Sequence, residues 1–189
     1  SKKIFGNNLD RITEVIQLPN DDLLILGETE SIGTGNKDMF LARTNSSGVM
    51  LWTKTYGQSI DEWASDIILC SDGNFLITGF NQPSNTSSRD VIIIKVDANG
   101  NIIWGKELGA DQTEYNSRRN VIIENSQGYL LAFHTYTFGA GLHDASLVQV
   151  DFSGNILWQK TYGTSGNDAL RSMVPFNGGY LLFLDSWGA

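Results

Sequence analysis

The stretch VDANGNIIWGKELG, residues Val96–Gly109, decides the fold because the chain repeats it twice more in closely similar form. One copy, TNSSGVMLWTKTYG, begins at Thr44, and the other, VDFSGNILWQKTYG, begins at Val150. The tryptophans of the three copies are spaced by 52 and 54 residues and are Trp52, Trp104 and Trp158. The chain is therefore built from a unit of about fifty residues.

A second set of anchors repeats in the same frame. Each tryptophan follows an aspartate by 14 residues, and these aspartates are Asp38, Asp90 and Asp144. The repeats cover approximately residues 7–57, 58–109, 110–163 and 164–189, with an additional N-terminal strand at residues 1–6. A repeat of this length is typical of propellers and other repeat arrays.

Each repeat contains four short segments with the composition of β-strands. In the second repeat these segments are SDIILC, FLITGF, VIIIKV and NIIWGKELG. Aliphatic and β-branched residues dominate them, turn-forming residues separate them, and sustained helical periodicity is absent. The sequence predicts a single all-β domain over residues 1–189, a β-propeller of about 3.5 blades, each a four-stranded antiparallel sheet.

The turn inside the repeated stretch has its own signature. The sequences NSSG, DANG and DFSG each end in glycine, at Gly48, Gly100 and Gly154. This pattern predicts a hairpin with a type I turn followed by a residue with positive φ, which glycine adopts without steric cost. The tryptophan that follows is expected to be buried between neighbouring sheets.

The number of predicted strands leaves one blade incomplete. The N-terminal residues SKKIFG align with the fourth strand of a repeat, and the last repeat has a first and a second strand. The chain is interpreted either as an arc of a six- to eight-bladed ring or as a compact four-bladed ring. The strand 180–184 is expected to have an unpaired edge, and such edges recruit another strand, so self-association is predicted.

The repeat resembles those of a known family. The stretches DGNFLITG and DVIIIKVDANGNIIW are similar to the β-propeller repeats of bacterial and archaeal cell-surface and secreted proteins. The resemblance implies an extracellular or cell-surface location and a binding or structural task. The D-x-x-G-x-x-x-W pattern is also similar to the tryptophan-docking repeat of quinoprotein dehydrogenases, but the single Cys70 and the short chain argue against that enzyme.

Composition excludes several classes of partner. The formal net charge is −8 and the 13 basic residues are dispersed, which argues against nucleic acid. No apolar run is long enough to predict insertion into a membrane. Asp97 begins a sequence that resembles a calcium loop, but apolar residues occupy the later ligand positions, so a turn is favoured. The spacing of His134 and His143 does not suggest a metal site, and we expect no metal and no cofactor.

A contact surface is predicted on the loops that join the second strand to the third and the fourth to the first. These loops differ in content between repeats, as binding loops on rigid scaffolds do. The candidate binding residues are Tyr115, Arg118, His134, Tyr136 and His143, with Trp187 as a further aromatic. No catalytic residue is assigned, and the pair Asp61-Glu62 is interpreted as part of a solvated loop.

The expected function is that of a non-catalytic module binding a protein or a glycan. A lectin-like or glycan-processing domain is the alternative.

Overall fold

The fold is all-β, as the sequence predicts. The computed structural model describes residues 6, 8–82, 89–108, 121–136, 139–140 and 143–188, and within these residues there are fourteen strands and no helix. The first seven are β1 Asp10–Gln17, β2 Leu23–Thr29, β3 Asp38–Thr44, β4 Met50–Tyr56, β5 Asp61–Leu69, β6 Phe75–Gln82 and β7 Asp90–Val96. The others are β8 Ile102–Leu108, β9 Val121–Asn125, β10 Gly128–Thr135, β11 Asp144–Val150, β12 Ile156–Tyr162, β13 Asn167–Phe176 and β14 Gly179–Trp187.

The strands form one sheet for each repeat. Sheet 1 is β1-β2-β3-β4, sheet 2 is β5-β6-β7-β8, sheet 3 is β9-β10-β11-β12, and sheet 4 is the hairpin β13-β14. The strands in these sheets pair antiparallel, which confirms the predicted four-stranded antiparallel unit for three of the four repeats. The predicted N-terminal strand lies outside the described residues except for Gly6.

The chain divides into two compact units. One comprises Ser1–Ser87 with Ile92–Gly105, and the other comprises Ser88–Val91 with Lys106–Ala189. In the first unit, Leu24 and Leu26 of sheet 1 share a buried cluster with Ala64 and Ile67 of sheet 2. Burial of these facing side chains, rather than local strand propensity, stabilises each pair of sheets.

The second unit repeats this packing. Leu130 and Ala132 of sheet 3 share a buried cluster with Leu170 and Met173 of sheet 4. The four side chains are at most 3% exposed. Each unit therefore contains one interface in which the second strand of a sheet packs against the first strand of the next sheet.

The hairpin turns have the backbone that their sequences require. Gly48, Gly100 and Gly154 have φ values of 73, 78 and 80°, which lie in the left-handed region. In the second turn, Asp97 Oδ1 accepts hydrogen bonds of 2.8 Å from the backbone amides of Asn99 and Asn101. The aspartate side chain thus replaces water at the turn's exposed donors.

The tryptophans of the repeat are less buried than predicted. Trp52, Trp104 and Trp158 are all half-buried, because each lies on the fourth, outermost strand of its sheet. Trp52 still contacts the next repeat: a β-carbon added at Gly100 would lie 2.9 Å from the indole ring. Trp52 therefore covers the hairpin turn of sheet 2 with one side of its ring. Trp52 and Trp158 also pack against the buried clusters of their units, so the expected burial between sheets is only partial.

Candidate functional site

Asp38, the residue that begins the third strand of sheet 1, holds the loop before it. The carboxylate of Asp38 accepts hydrogen bonds from the backbone amides of Thr34, at 3.3 Å, and Gly35, at 3.2 Å. Asp38 is 2% exposed, so its carboxylate fixes the loop from the inside. Asp90 is the first residue of β7, as Asp38 is of β3. Burial is the main cause that raises the pKa of Asp90 to about 6, and the hydrogen bond and charge of Glu107 act in the same direction.

A second carboxyl group lies beside Asp38. A β-carbon added at Gly57 would overlap with Asp38 Oδ1 and would lie 2.7 Å from Glu62 Oε2. Glu62 Oε1 accepts a 3.0 Å hydrogen bond from the backbone amide of Gln58, whereas among the described residues Oε2 has no hydrogen-bond partner. The glycine leaves the space in which the two carboxyl groups approach one another.

The environment of Glu62 favours its protonated form. Burial raises its pKa to about 7, the charges of Asp38 and Asp61 act in the same direction, and the amide of Gln58 only partly opposes them. Glu62 is 3% exposed, so the interpretation of Asp61-Glu62 as a solvated loop is wrong for Glu62. Glu62 lies on β5, the first strand of sheet 2, and its carboxyl group is close to Gly57, which directly follows the fourth strand of sheet 1.

The second unit has the same arrangement with different chemistry. A β-carbon added at Gly163 would overlap with Asp144 Oδ1 and would lie 3.0 Å from Asp168 Oδ2. Asp168 occupies the position of Glu62, but Thr164 donates to it from its amide at 2.5 Å and its hydroxyl at 2.9 Å, and Ser186 donates to Oδ1. The Ser186 hydroxyl and then the Thr164 amide lower the pKa of Asp168.

Three aromatic side chains lie close together in the second unit. The rings of Tyr136 and His143 are 3.8 Å apart between centroids, and those of His143 and Trp187 are 6.4 Å apart. Tyr136 is 39% exposed and Trp187 is 50% exposed, so both offer ring surface to a ligand. We call Tyr136, His143 and Trp187 the aromatic cluster.

The strands of sheets 3 and 4 position the aromatic cluster. Tyr136 directly follows β10, His143 directly precedes β11, and Trp187 is the last residue of β14. The carbonyl of His143 accepts a 2.6 Å hydrogen bond from the amide of Asp168. This bond joins the loop of sheet 3 to the first strand of sheet 4, so the rings come from backbone that is held in place.

The chemistry of the cluster is that of a stacking surface. Burial lowers the pKa of His143, although the charge of Asp144 partly opposes this, so the imidazole is neutral at physiological pH. Neutral aromatic faces stack on the apolar faces of sugar rings and on peptide side chains, and the tyrosine hydroxyl and indole N–H can donate hydrogen bonds.

The structure brings together only part of the predicted site. Tyr136, His143 and Trp187 lie together, whereas Tyr115 and Arg118 lie outside the described residues. His134 does not belong to the surface: it is 4% exposed and its Nε2 donates a 2.9 Å hydrogen bond to the carbonyl of Leu170. Its place inside strand β10, two residues before Tyr136, explains its burial.

No metal site is found in the described part of the chain. No three histidine, cysteine, aspartate or glutamate side chains there are arranged to hold an ion. The Asp97 carboxylate, considered above as a calcium ligand, accepts hydrogen bonds from the side chain and then from the backbone amide of Asn101, and these lower its pKa. The oxygens that an ion would need already serve the turn.

We expect the protein to melt at the same temperature with and without a metal chelator. The Asp97 turn and its counterpart at Asp151 are closed by their own asparagine side chains, at 2.9 and 3.0 Å. Differential scanning calorimetry in the presence and absence of EDTA tests this. A melting temperature that falls by several degrees with EDTA and recovers on addition of calcium would contradict it.

Comparison with known proteins adds no family. No protein-family model matches the chain, and no curated protein matches it at a significant level. Among the residues that the structure describes, no helix is long and apolar enough to cross a membrane.

Proposed function

We propose that the chain is a non-catalytic binding module of the β-propeller type, which works outside the cell or at its surface. The architecture is supported by the sheets themselves: four antiparallel sheets in sequence order, with one buried sheet-to-sheet interface in each unit. The location is supported by the resemblance of the repeat to those of cell-surface and secreted propellers. The composition, with a net charge of −8, favours neither nucleic acid nor membrane as the partner.

The aromatic cluster is the observation that carries this proposal. Clustered aromatic side chains that are exposed to solvent are unfavourable for a protein without a ligand, and large aromatic residues dominate binding surfaces. Tyr136 and Trp187 present exposed rings, and His143 lies beside both. We infer that a glycan or an exposed segment of a protein binds by stacking on these rings.

Substitution of either exposed ring is expected to weaken binding while the fold persists. Trp187→Ala and Tyr136→Ala should each weaken the interaction by about tenfold or more, since loss of one stacked ring at a binding centre is worth at least about 1.4 kcal/mol. A glycan array and a library of displayed peptides identify the ligand, and titration calorimetry with that ligand measures the loss.

Phe152→Ala is the matched control. Phe152 is 50% exposed, like Trp187, but it lies in the β11–β12 turn and contacts Tyr129 edge to face at 5.5 Å. It should leave the affinity unchanged. A ligand that binds equally well to wild type and to both cluster variants would refute the aromatic cluster as the binding site.

Glycan processing is the second candidate, and one observation favours it. Glu62, whose pKa is raised to about 7, has the protonation that a general acid needs, and it lies next to a second carboxyl group, that of Asp38. The burial of Glu62 argues against it, because a substrate oxygen would have to reach a side chain that is 3% exposed. Release of a chromophore from aryl glycosides by wild type, and its loss in Glu62→Gln, would establish hydrolysis.

A further inference from the structure

Sheet 4 exposes apolar side chains on one face. Leu181 is 42% exposed and Phe183 is 48% exposed, both on β14. Their repeat equivalents are completely buried, as Leu130 and Ala132 in β10 and as Leu24 and Leu26 in β2. In those sheets the equivalent side chains are covered by the next sheet. We call Leu181 and Phe183 the second-strand patch.

Sheet 1 exposes apolar side chains on its first strand rather than on its second. Ile12 is 51% exposed and Val15 is 45% exposed, both on β1. The strand registers identify their equivalents in sheet 2 as Ala64 and Ile67. Ile12 is equivalent to Ala64, because each pairs with a glycine of the second strand, Gly27 or Gly79. Val15 is equivalent to Ile67, because each pairs with an isoleucine of the second strand, Ile25 or Ile77. Ala64 and Ile67 are 1% and 2% exposed. We call Ile12 and Val15 the first-strand patch.

The two patches are the two halves of an interface that the protein already makes twice. In the first unit, the second-strand side chains Leu24 and Leu26 are buried with the first-strand side chains Ala64 and Ile67. In the second unit, the second-strand side chains Leu130 and Ala132 are buried in one cluster with first-strand side chains of the next sheet. These first-strand side chains are Leu170 and Met173. The second-strand patch of sheet 4 and the first-strand patch of sheet 1 have the same backbone register and the same apolar chemistry.

We propose that two copies of this chain associate head to tail, with sheet 1 of one copy packed on the open face of sheet 4 of the other. Each contact uses two different surfaces, so it is heterologous and can add further copies. The neighbouring exposed side chains Val174 and Phe176 on β13, at 40% and 57%, extend the apolar surface of sheet 4. Removal of this surface from water is what drives the association.

Mixing two complementary variants tests the proposal. Phe183→Glu blocks the second-strand patch and leaves the first-strand patch intact, and Val15→Glu does the reverse. Wild type at tens of micromolar should elute from size exclusion with the light-scattering mass of a dimer or larger species, and each variant alone should elute as a monomer. An equimolar mixture of the two variants should form a one-to-one complex, because together they retain one complete pair of patches.

The control is Ile102→Glu, on β8 of sheet 2, where the isoleucine is 59% exposed and belongs to neither patch. It should associate like wild type, and circular dichroism should give all variants the same strand content. A monomeric wild type at these concentrations overturns the proposal. Association that persists in both patch variants also overturns it and would instead indicate strand addition beside β14. A mixture of the two variants that stays monomeric while wild type associates overturns it as well.

Discussion

Glu62→Gln is expected to raise the melting temperature at about pH 8 and to leave it nearly unchanged at about pH 4. The folded protein holds the Glu62 carboxyl group in an environment that raises its pKa from 4.5 to about 7, through burial first and the charges of Asp38 and Asp61 second. Ionisation of the buried group therefore opposes folding. Glutamine has nearly the same shape, carries no charge, and can still accept the hydrogen bond from the Gln58 amide.

The sign of the effect follows from proton binding. Between the unfolded pKa of 4.5 and the folded pKa of about 7, the folded state binds more protons at Glu62 than the unfolded state. The stabilising contribution of this group is thus fully present below the lower value and is lost as the pH rises through the higher one. A shift of this size corresponds to about 3–4 kcal/mol, or roughly 7–14 °C in a chain of this length.

Asp168→Asn is the matched control, since it changes the same repeat position in the second unit. The hydrogen bonds from Ser186 and Thr164 lower the pKa of Asp168, so its stabilising contribution is present above the unfolded pKa and is lost only in acid. Its substitution should lower the melting temperature by a constant amount between about pH 5 and about pH 8. The measurement is the difference in melting temperature between wild type and each variant across this range. A Glu62→Gln difference that does not grow with pH would contradict the buried, protonated Glu62.

The sequence predicts the sheets because their signals are local. The glycine of each hairpin turn, the aspartate three residues before it and the alternating apolar strands all act within a few residues. The turn glycine Gly100, with φ of 78°, adopts the backbone that its neighbours require. The same locality limits what can be predicted for Trp104, because its burial depends on where the fourth strand lies in the sheet.

The carboxyl pair could not be predicted in the same way. Glu62 and Asp38 are separated by two strands and a turn, and their approach depends on how sheet 2 packs on sheet 1. Adjacent acidic residues such as Asp61-Glu62 are more often solvated. The available signal was Gly57, a glycine repeated at Gly163, where the structure leaves no room for a side chain beside the carboxyl groups.

The aromatic cluster is an intermediate case. Variable loops that follow the second strand were identified from the repeat, and Tyr136 and His143 lie in one of them. His134 has the same residue type as His143 and lies near the same loop in sequence, yet its side chain is buried against Leu170. His134 is buried because it lies before the end of strand β10, whereas His143 lies in the loop after it. Sequence patterns locate the end of a strand only to within a few residues, so they do not distinguish the two histidines.

Leu130→Ala and Leu181→Ala should differ widely in effect although they change the same position of the repeat. Leu130 is completely buried between sheets 3 and 4, so its truncation leaves a cavity and should destabilise the protein by about 2–5 kcal/mol. Leu181 is 42% exposed, and its truncation in the monomer should cost less than about 0.5 kcal/mol. Thermal melts at low protein concentration measure both.

Protein concentration then separates a surface position from an interface. If Leu181 is buried by a second copy, the melting temperature of wild type rises with concentration, because association stabilises the folded state by mass action. Leu181→Ala should weaken this rise, whereas Leu130→Ala should lower the melting temperature at every concentration. Melts over a hundredfold range of concentration, with Ile102→Ala as an exposed apolar control on sheet 2, provide the comparison. Equal concentration dependence in wild type and Leu181→Ala would mean that the face of sheet 4 stays open in solution.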